Sequence, residues 1–384
     1  MPENLWNITY AIHWYSTLKF LFLESFFGGS HREFAEGLAE NSRHEIEILP
    51  LPARFWKWRM RGAALWFVKE IKNLKSYDGL ITTNMMSLSD FKSLSGPACP
   101  PVLLYFHENQ FAYPLAPGER MDYQYGFTDI TTALAADRVV FNSRFHYETF
   151  FSSLPVFLNR MPEFRPAWVI EAIRSKSGVL YPGCRFSPLT DDEFSEAAEE
   201  KPGPPMIIWN HRWEFDKAPE VFFQALDTVA DKGADFRLAL LGENFRRVPD
   251  VFRSAKKRYQ NQIVHYGYVK SRKEYIHILC QGDIVISTAI QENFGISVAE
   301  AIRCGCLPLL PDRLSYPEIL PREFHADFLC KNTDDLTEKL FGMLADFPKF
   351  RKMRTHTAAA MERFAWKNMI SAYDDLLEEM VQDQ

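Results

Sequence analysis

Short apolar runs of five or six residues recur along the chain, separated by longer segments in which apolar residues return every three or four positions. Runs of the first kind read as strands buried on both faces, and segments of the second kind as amphipathic helices. The first set of candidate strands is 19–24 (KFLFLE), 45–49 (EIEIL), 78–82 (DGLIT), 101–106 (PVLLYF), 138–141 (RVVF) and 178–181 (GVLY). Residues 186–205 then turn acidic and end in KPGPP, the composition of a linker. A second set follows, with MIIWN from 206, FRLALLG from 236, IVHYGYV from 263, DIVIST from 283 and CLPLLP from 306. Strands alternating with helices predict a doubly wound α/β architecture, here built twice. The expected division is a first domain over 1–190 and a second over 191–355. A C-terminal helix over 356–384, with apolar spacing at Met361, Phe364, Ala365, Ile370, Tyr373, Leu376 and Leu377, is expected to cross back to the first domain. Ligands of two facing open sheets bind where the carboxyl ends of the strands meet, so the expected site is a cleft between the halves.

Composition narrows the class. The 384 residues are too many for one compact core. Hydrophobic residues at 47% and charged residues at 24% describe a globular chain. Cysteines 99, 184, 280, 304, 306 and 330 show no paired metal spacing and read as reduced thiols of a cytoplasmic protein. No apolar run approaches the ~20 residues of a membrane span, and Glu3, His13, Lys19 and Glu24 interrupt any signal-like start. Residues 1–18 suggest no role, and the sequence does not speak to oligomeric state.

The stretch QENFGISVAEAIRCGCLPLLP over 291–311 concentrates the candidate chemistry. It reads as a loop after a buried strand, then a helix N-terminus, whose unpaired N–H groups suit a phosphate or a polyhydroxylated ligand. Glu292 would lie in the loop and Glu300 about two turns into the helix. The pair equally fits a capping acid and a solvated helix acid. After MIIWN, Arg212 and Lys217 can neutralise a diphosphate, or can be ordinary surface charge. Gly28 and Gly29 in ESFFGGSHREF allow close backbone approach to a ligand. His107, after PVLLYF, can be a structural hydrogen bonder or can contact a sugar. Gly267 and Tyr268 can lie against a nucleobase or belong to the core.

Together these segments resemble a known family. ENFGISVAEAI resembles the Glu-x7-Glu motif of the family 4 retaining glycosyltransferases, whose GT-B fold pairs two Rossmann-like domains. HRWEFDK resembles that family's Arg and Lys pair, with Pro219 near the place where a glycine is common. FFGGSHREFAEGLA, RFWKWRMRGAAL and YFHENQFAYP resemble the tRNA-queuosine mannosyltransferase subfamily. The resemblance implies that Glu300 binds the ribose of a nucleotide sugar and Glu292 the hydroxyls of the donor sugar. It implies that backbone N–H groups of Asn293, Phe294 and Gly295 add sugar contacts. Arg212 and Lys217 would hold the diphosphate, His107 would contact the sugar, and Gly28 with Gly29 would approach the phosphates. The implied donor is GDP-mannose and the implied acceptor is queuosine in a tRNA anticodon loop, of the tRNA-Asp type. The chain has no Asp-x-Asp motif, so no metal and no further cofactor is expected. Retention without a protein nucleophile implies same-face attack, the leaving phosphate helping to deprotonate the acceptor.

The net charge of −6 offers no global attraction to nucleic acid. Local charge differs. Between Ala53 and Lys75 seven Lys or Arg face one Glu, interleaved with Trp56, Trp58 and Trp66. Lys57, Trp58, Arg59 and Arg61 are therefore candidate tRNA contacts, since cations among aromatics grip phosphates and stack on unpaired bases. A solvated helix face with its tryptophans in the core fits the same residues. A second basic run spans Arg246 to Arg258. Two alternatives stay open: a lipid or polysaccharide acceptor, and a binding module whose catalysis has decayed.

Overall fold

The computed structural model of the protein describes residues 17–116, 118–186, 203–243 and 248–383. Most of the expected linker, and the segment before residue 17, lie outside the described residues. The chain divides into two compact units, each with its own parallel sheet.

The first sheet has six strands: β1 (Lys19–Phe27), β2 (Glu45–Pro52), β3 (Gly79–Thr83), β4 (Val102–Phe106), β5 (Arg138–Phe141) and β6 (Ser177–Val179). Their spatial order is β2-β1-β3-β4-β5-β6 and every pairing is parallel. Parallel strands need crossover helices, and these cover both faces. Alternate side chains therefore enter different cores. Leu21, Leu23, Leu80, Val102, Leu104 and Phe106 join one cluster with Ala63, Ala64 and Phe67 of helix α2 (Trp56–Glu70). Phe20, Phe22, Ile81, Leu103 and Tyr105 join the other, with Phe34, Ala35 and Leu38 of helix α1 (Gly29–Asn41).

The second sheet has order β12-β11-β10-β7-β8-β9, again wholly parallel. Its strands are β7 (Met206–Asn210), β8 (Arg237–Leu241), β9 (Ile263–Gly267), β10 (Ile284–Ile286), β11 (Leu307–Pro311) and β12 (Leu329–Cys330). The expected strand over 283–288 is shorter than its apolar run: the Ser287 N–H still reaches the Leu309 carbonyl at 3.1 Å, and the ladder ends there. Ser287 bonds the Tyr316 hydroxyl at 2.6 Å, and Thr288 donates to the Lys217 and Ala218 carbonyls at 2.9 Å each. β12, two residues long, was not expected.

The division corrects the expected boundary at 356. The second unit runs to Ala365, and the return to the first begins at Trp366. Buried Arg354 shows why. It donates to the Gly305 carbonyl (2.6 Å) and the Gly282 carbonyl (2.9 Å) and pairs with Asp283 (3.1 Å), which ties the helix Arg354–Ala360 to the second sheet. Helix α6 (Trp366–Gln382) instead buries Trp366, Tyr373, Leu376, Leu377 and Met380 against the first sheet. All six cysteines are free thiols. Among the described residues no helix is long and apolar enough to cross a membrane.

Candidate functional site

In the second unit the loops after β7 and β10 meet around one lysine. The chain leaves β7 through His211 and Arg212, makes a 3-10 turn over Phe215–Lys217, and starts helix α3 (Pro219–Asp231) with a proline in its first turn. The residue in left-handed backbone is Ala218 (φ 44°), so the position that favours glycine precedes Pro219. Lys217 is turned inward. Its Nζ donates to the Gln291 carbonyl at 2.7 Å and stands 3.3 Å from Glu292 and 3.2 Å from Asp216. Burial pulls its pKa down, but the two carboxylates outweigh that and hold the ammonium above its ordinary range. A diphosphate contact by Lys217 therefore requires Glu292 to yield one of these donors.

Glu292 lies in the loop before helix α5 (Ile296–Arg303), as expected, with about a fifth of its side chain exposed. Gly295 caps the helix in left-handed backbone (φ 98°), and Ser315 donates to the Phe294 carbonyl at 2.9 Å, fixing the turn. Asn293 is buried and accepts from the Gln291 amide at 3.0 Å. Glu300 is the fifth residue of α5, one turn in rather than the expected two. Its carboxylate pairs at 2.5 Å with Arg272, at the start of helix α4 (Arg272–Gln281). The hydroxyl of Tyr275, on the same helix, accepts from the Asn210 side-chain amide at the strand end (3.2 Å), which also donates to the Ser297 carbonyl at 2.6 Å. Arg212 is about half exposed beside Glu214 at 3.2 Å, and Tyr268 is 59% exposed after Gly267 (φ 117°).

In the first unit the carboxyl ends of β1 and β4 bring together Glu24, His31 and His107. Glu24 is fully buried where the β1 register shifts. One oxygen accepts from the Phe26 N–H at 2.8 Å and the Thr83 hydroxyl at 3.2 Å, and the other faces His31 Nδ1 at 3.2 Å. The rings of His31 and His107 lie 3.9 Å apart, centroid to centroid. Packing among His31, Phe34 and Tyr105 desolvates His107 and pushes its pKa well below the usual range, and His31 and His146 add to that. The Asn142 amide holds the His107 carbonyl at 3.0 Å. Gly29 (φ 51°) is open to space, whereas Gly28 has a packing reason: a β-carbon there would stand 2.4 Å from that of Ala53.

The start of helix α2 exposes aromatic residues, whereas Phe67 farther along is buried in the core. Trp58 is 79% exposed and Phe55 69%, the latter in left-handed backbone, uncommon for a bulky residue. Trp56 packs on Tyr125 at 5.1 Å, with Lys57 over both rings, and Arg61 donates to Thr128 at 3.2 Å. The expectation of a core position for the tryptophans does not hold for Trp58. In the second basic run Arg246 and Arg247 lie outside the described residues. Of the rest, Arg258 is spent on Asp227 (2.9 Å) and Asp231 (2.6 Å), and Lys256 lies over the Tyr266 ring.

Sequence reasoning passed over Asp216, Arg272, Glu24 and His31. Arg272 meets Glu300 across 28 residues with no local signal. An acid closing an apolar strand is a visible anomaly, and Glu24 had that mark.

Two Rossmann-like parallel-sheet units with a cation and carboxylates at the strand ends define a glycosyltransferase of the GT-B fold. Residues 190–360 match the family of glycosyl transferases group 1, and residues 19–184 match the family described as tRNA-queuosine alpha-mannosyltransferase N-terminal. The tRNA-queuosine alpha-mannosyltransferase of Drosophila melanogaster is 35% identical over 375 residues, covering 95% of this chain and 97% of its own. A GDP-mannose:cellobiosyl-diphosphopolyprenol alpha-mannosyltransferase of Xanthomonas campestris is 20% identical, over 48% of this chain and 49% of its own. Sucrose-phosphate synthase of Thermosynechococcus elongatus shares the fold with a TM-score of 0.71 at 14% identity, covering 96% of this chain and 100% of its own. Anabaena HepE, in complex with UDP and glucose, shares it with a TM-score of 0.66 at 15% identity, covering 94% and 100%. The chain belongs to the tRNA-queuosine alpha-mannosyltransferase family.

Proposed function

We propose that the protein transfers mannose from GDP-mannose to the queuosine nucleoside in the anticodon loop of a tRNA of the tRNA-Asp type, with retention and without a metal, in the cytoplasm. The observation that carries the reading is the Lys217 cluster, where a buried ammonium joins the β7 and β10 loops and faces Glu292. In this reading Lys217 and Arg212 stabilise the diphosphate charge that grows as the sugar leaves, which is where a fixed cation lowers a barrier most. Glu292 and the 293–295 backbone take the sugar hydroxyls, Glu300 takes the ribose, and His107 contacts the sugar from the first unit. A neutral imidazole suits a hydroxyl partner. The exposed Trp58, with Lys57, Arg59 and Arg61, serves the RNA: its ring offers a stacking face and the cations meet phosphates. Metal independence rests on the missing Asp-x-Asp motif; among the described residues Glu24, His31 and His107, whose carboxyl and ring nitrogen atoms lie within 4.8 Å of one another, are the group that could hold an ion, and removal of metal tests the point.

The test is transfer itself. The protein is incubated with GDP-mannose, with and without EDTA, and with tRNA from cells that make queuosine or lack it, and the nucleosides are weighed by mass spectrometry. A hexose mass on queuosine alone, unaffected by EDTA, is expected. No transfer to queuosine-containing tRNA overturns the acceptor, transfer only from another nucleotide sugar overturns the donor, and loss in EDTA overturns metal independence.

A further inference from the structure

A buried carboxylate–imidazole hydrogen bond stands beside the sugar-contacting histidine, in the unit matched by the N-terminal family of this enzyme class. Glu24 is wholly buried, and its second oxygen engages only His31 among the described residues. A carboxylate facing Nδ1 keeps the proton on that nitrogen and leaves Nε2 with its lone pair outward. No hydrogen bond to Nε2 occurs among the described residues, and the side chain keeps 9% of its surface open. The ring is held on its other side by His107, so it has little freedom to turn.

Its neighbourhood indicates which substrate it meets. The β1 and β2 ends are adjacent, Phe27 pairing with Pro52, and Gly28 packs directly on Ala53. The β1 end leads into α1 and His31. The β2 end leads through Phe55 into α2 with Trp58. The histidine thus shares one sheet edge with the exposed aromatic and basic surface, while the nucleotide-type carboxylates Glu292 and Glu300 belong to the other unit.

We propose that His31 is an acceptor-recognition residue, and Glu24 its positioning residue: Nε2 of the Glu24-held imidazole accepts a hydrogen bond from a hydroxyl of the tRNA nucleoside. The assignment rests on the first unit's being the acceptor side. It adds no proton transfer to the reaction; the imidazole holds the hydroxyl while the sugar is delivered. The titratable groups that face His31 are Glu24 from β1 and His107 from the end of β4, with His146 beyond His107 and Arg32 beside it on α1.

The test compares the whole protein with His31→Ala, His31→Gln and Glu24→Gln. Transfer to queuosine-containing tRNA is measured at pH 7 over a range of tRNA concentrations, and GDP affinity by calorimetry. His31→Ala should raise KM for tRNA about fivefold to tenfold, the worth of one hydrogen bond, and leave GDP affinity unchanged. His31→Gln, whose amide oxygen also accepts a hydrogen bond, should recover part of that loss. Glu24→Gln should weaken tRNA use more than GDP binding, and any misfolding appears as loss of both. An unchanged KM for tRNA in His31→Ala, or no recovery in His31→Gln, overturns the proposal. Failure of the broader reading looks different: replacing Lys57, Arg59 and Arg61 then leaves tRNA use intact as well.

Discussion

Lys217 and Glu292 face each other at 3.3 Å across the ends of β7 and β10, with Asp216 on the lysine's other side. The cation keeps two carboxylates compatible in a nearly closed space. Lys217→Met is expected to destabilise the protein by about 3–5 kcal/mol, the usual effect of removing one partner from a buried charge cluster. The sign with pH follows from the raised lysine pKa. The lysine's contribution is fully present below its unfolded value of 10.5 and is lost as pH rises through its higher folded value. Urea unfolding at pH 7 and near pH 11 measures it, and the gap between native and Lys217→Met proteins should shrink at the higher pH.

Glu300 and Arg212 should separate binding from turnover. Glu300→Gln is expected to weaken GDP binding about tenfold, a loss of ~1.4 kcal/mol, by removing a charged acceptor that Arg272 holds in place. Arg212→Ala should lower kcat and kcat/KM together while GDP affinity changes little, because its charge matters most as the diphosphate leaves. Calorimetry and initial rates on the same preparations decide both.

The surface of α2 predicts a salt effect. Replacing Lys57, Arg59 and Arg61 with alanine should reduce the slope of log affinity for tRNA against log salt by about 2, three phosphate contacts at ~0.7 each. Fluorescence anisotropy across a salt series reads the slope. An unchanged slope moves the RNA surface elsewhere.

Three histidines predict early acid sensitivity. Burial lowers His146 and His211 to about 3, and His107 well below 6.5. Above pH 6.5 both folded and unfolded chains hold these rings neutral and nothing is lost. As pH falls below 6.5 the unfolded chain takes up protons that the folded one refuses, so stability declines toward pH 3. Each ring contributes a slope of up to about 1.4 kcal/mol per pH unit. His146→Gln should lessen the loss measured between pH 6.5 and 5, compared with its own stability at pH 7.

The strands were legible because a parallel sheet covered on both faces needs unbroken apolar runs, and VLLYF and RLALL are that. β12, at two residues, has no run to read. The helix after β10 begins at Ile296, just past Gly295 in left-handed backbone, so Glu300 lies one turn in and not the expected two. Apolar spacing at Met361 and Phe364 marks helical turns but does not say which sheet they cover; Arg354 decides that, through contacts about 50 and 70 residues back. The Lys217 and Glu292 segments were each visible as motifs, whereas their contact, like that of Arg272 with Glu300, exists only after folding. Glu24 and His31 are seven residues apart, and only the turn at Gly29 brings one to the other.

The first unit is assembled from segments on either side of the second, and α6 closes one face of its sheet. During synthesis the sheet of β1–β6 therefore waits, with Phe20, Phe22, Leu103 and Tyr105 lacking the cover of Trp366, Tyr373 and Leu377, until every residue of the second unit has been made. Completion of the first unit therefore depends on residues made after the second, against the usual order of N-terminal domain first. The half of the chain that bears Glu292 and Glu300 can finish folding first, and the half that bears His31 and Trp58 is the one a chaperone would need to shield.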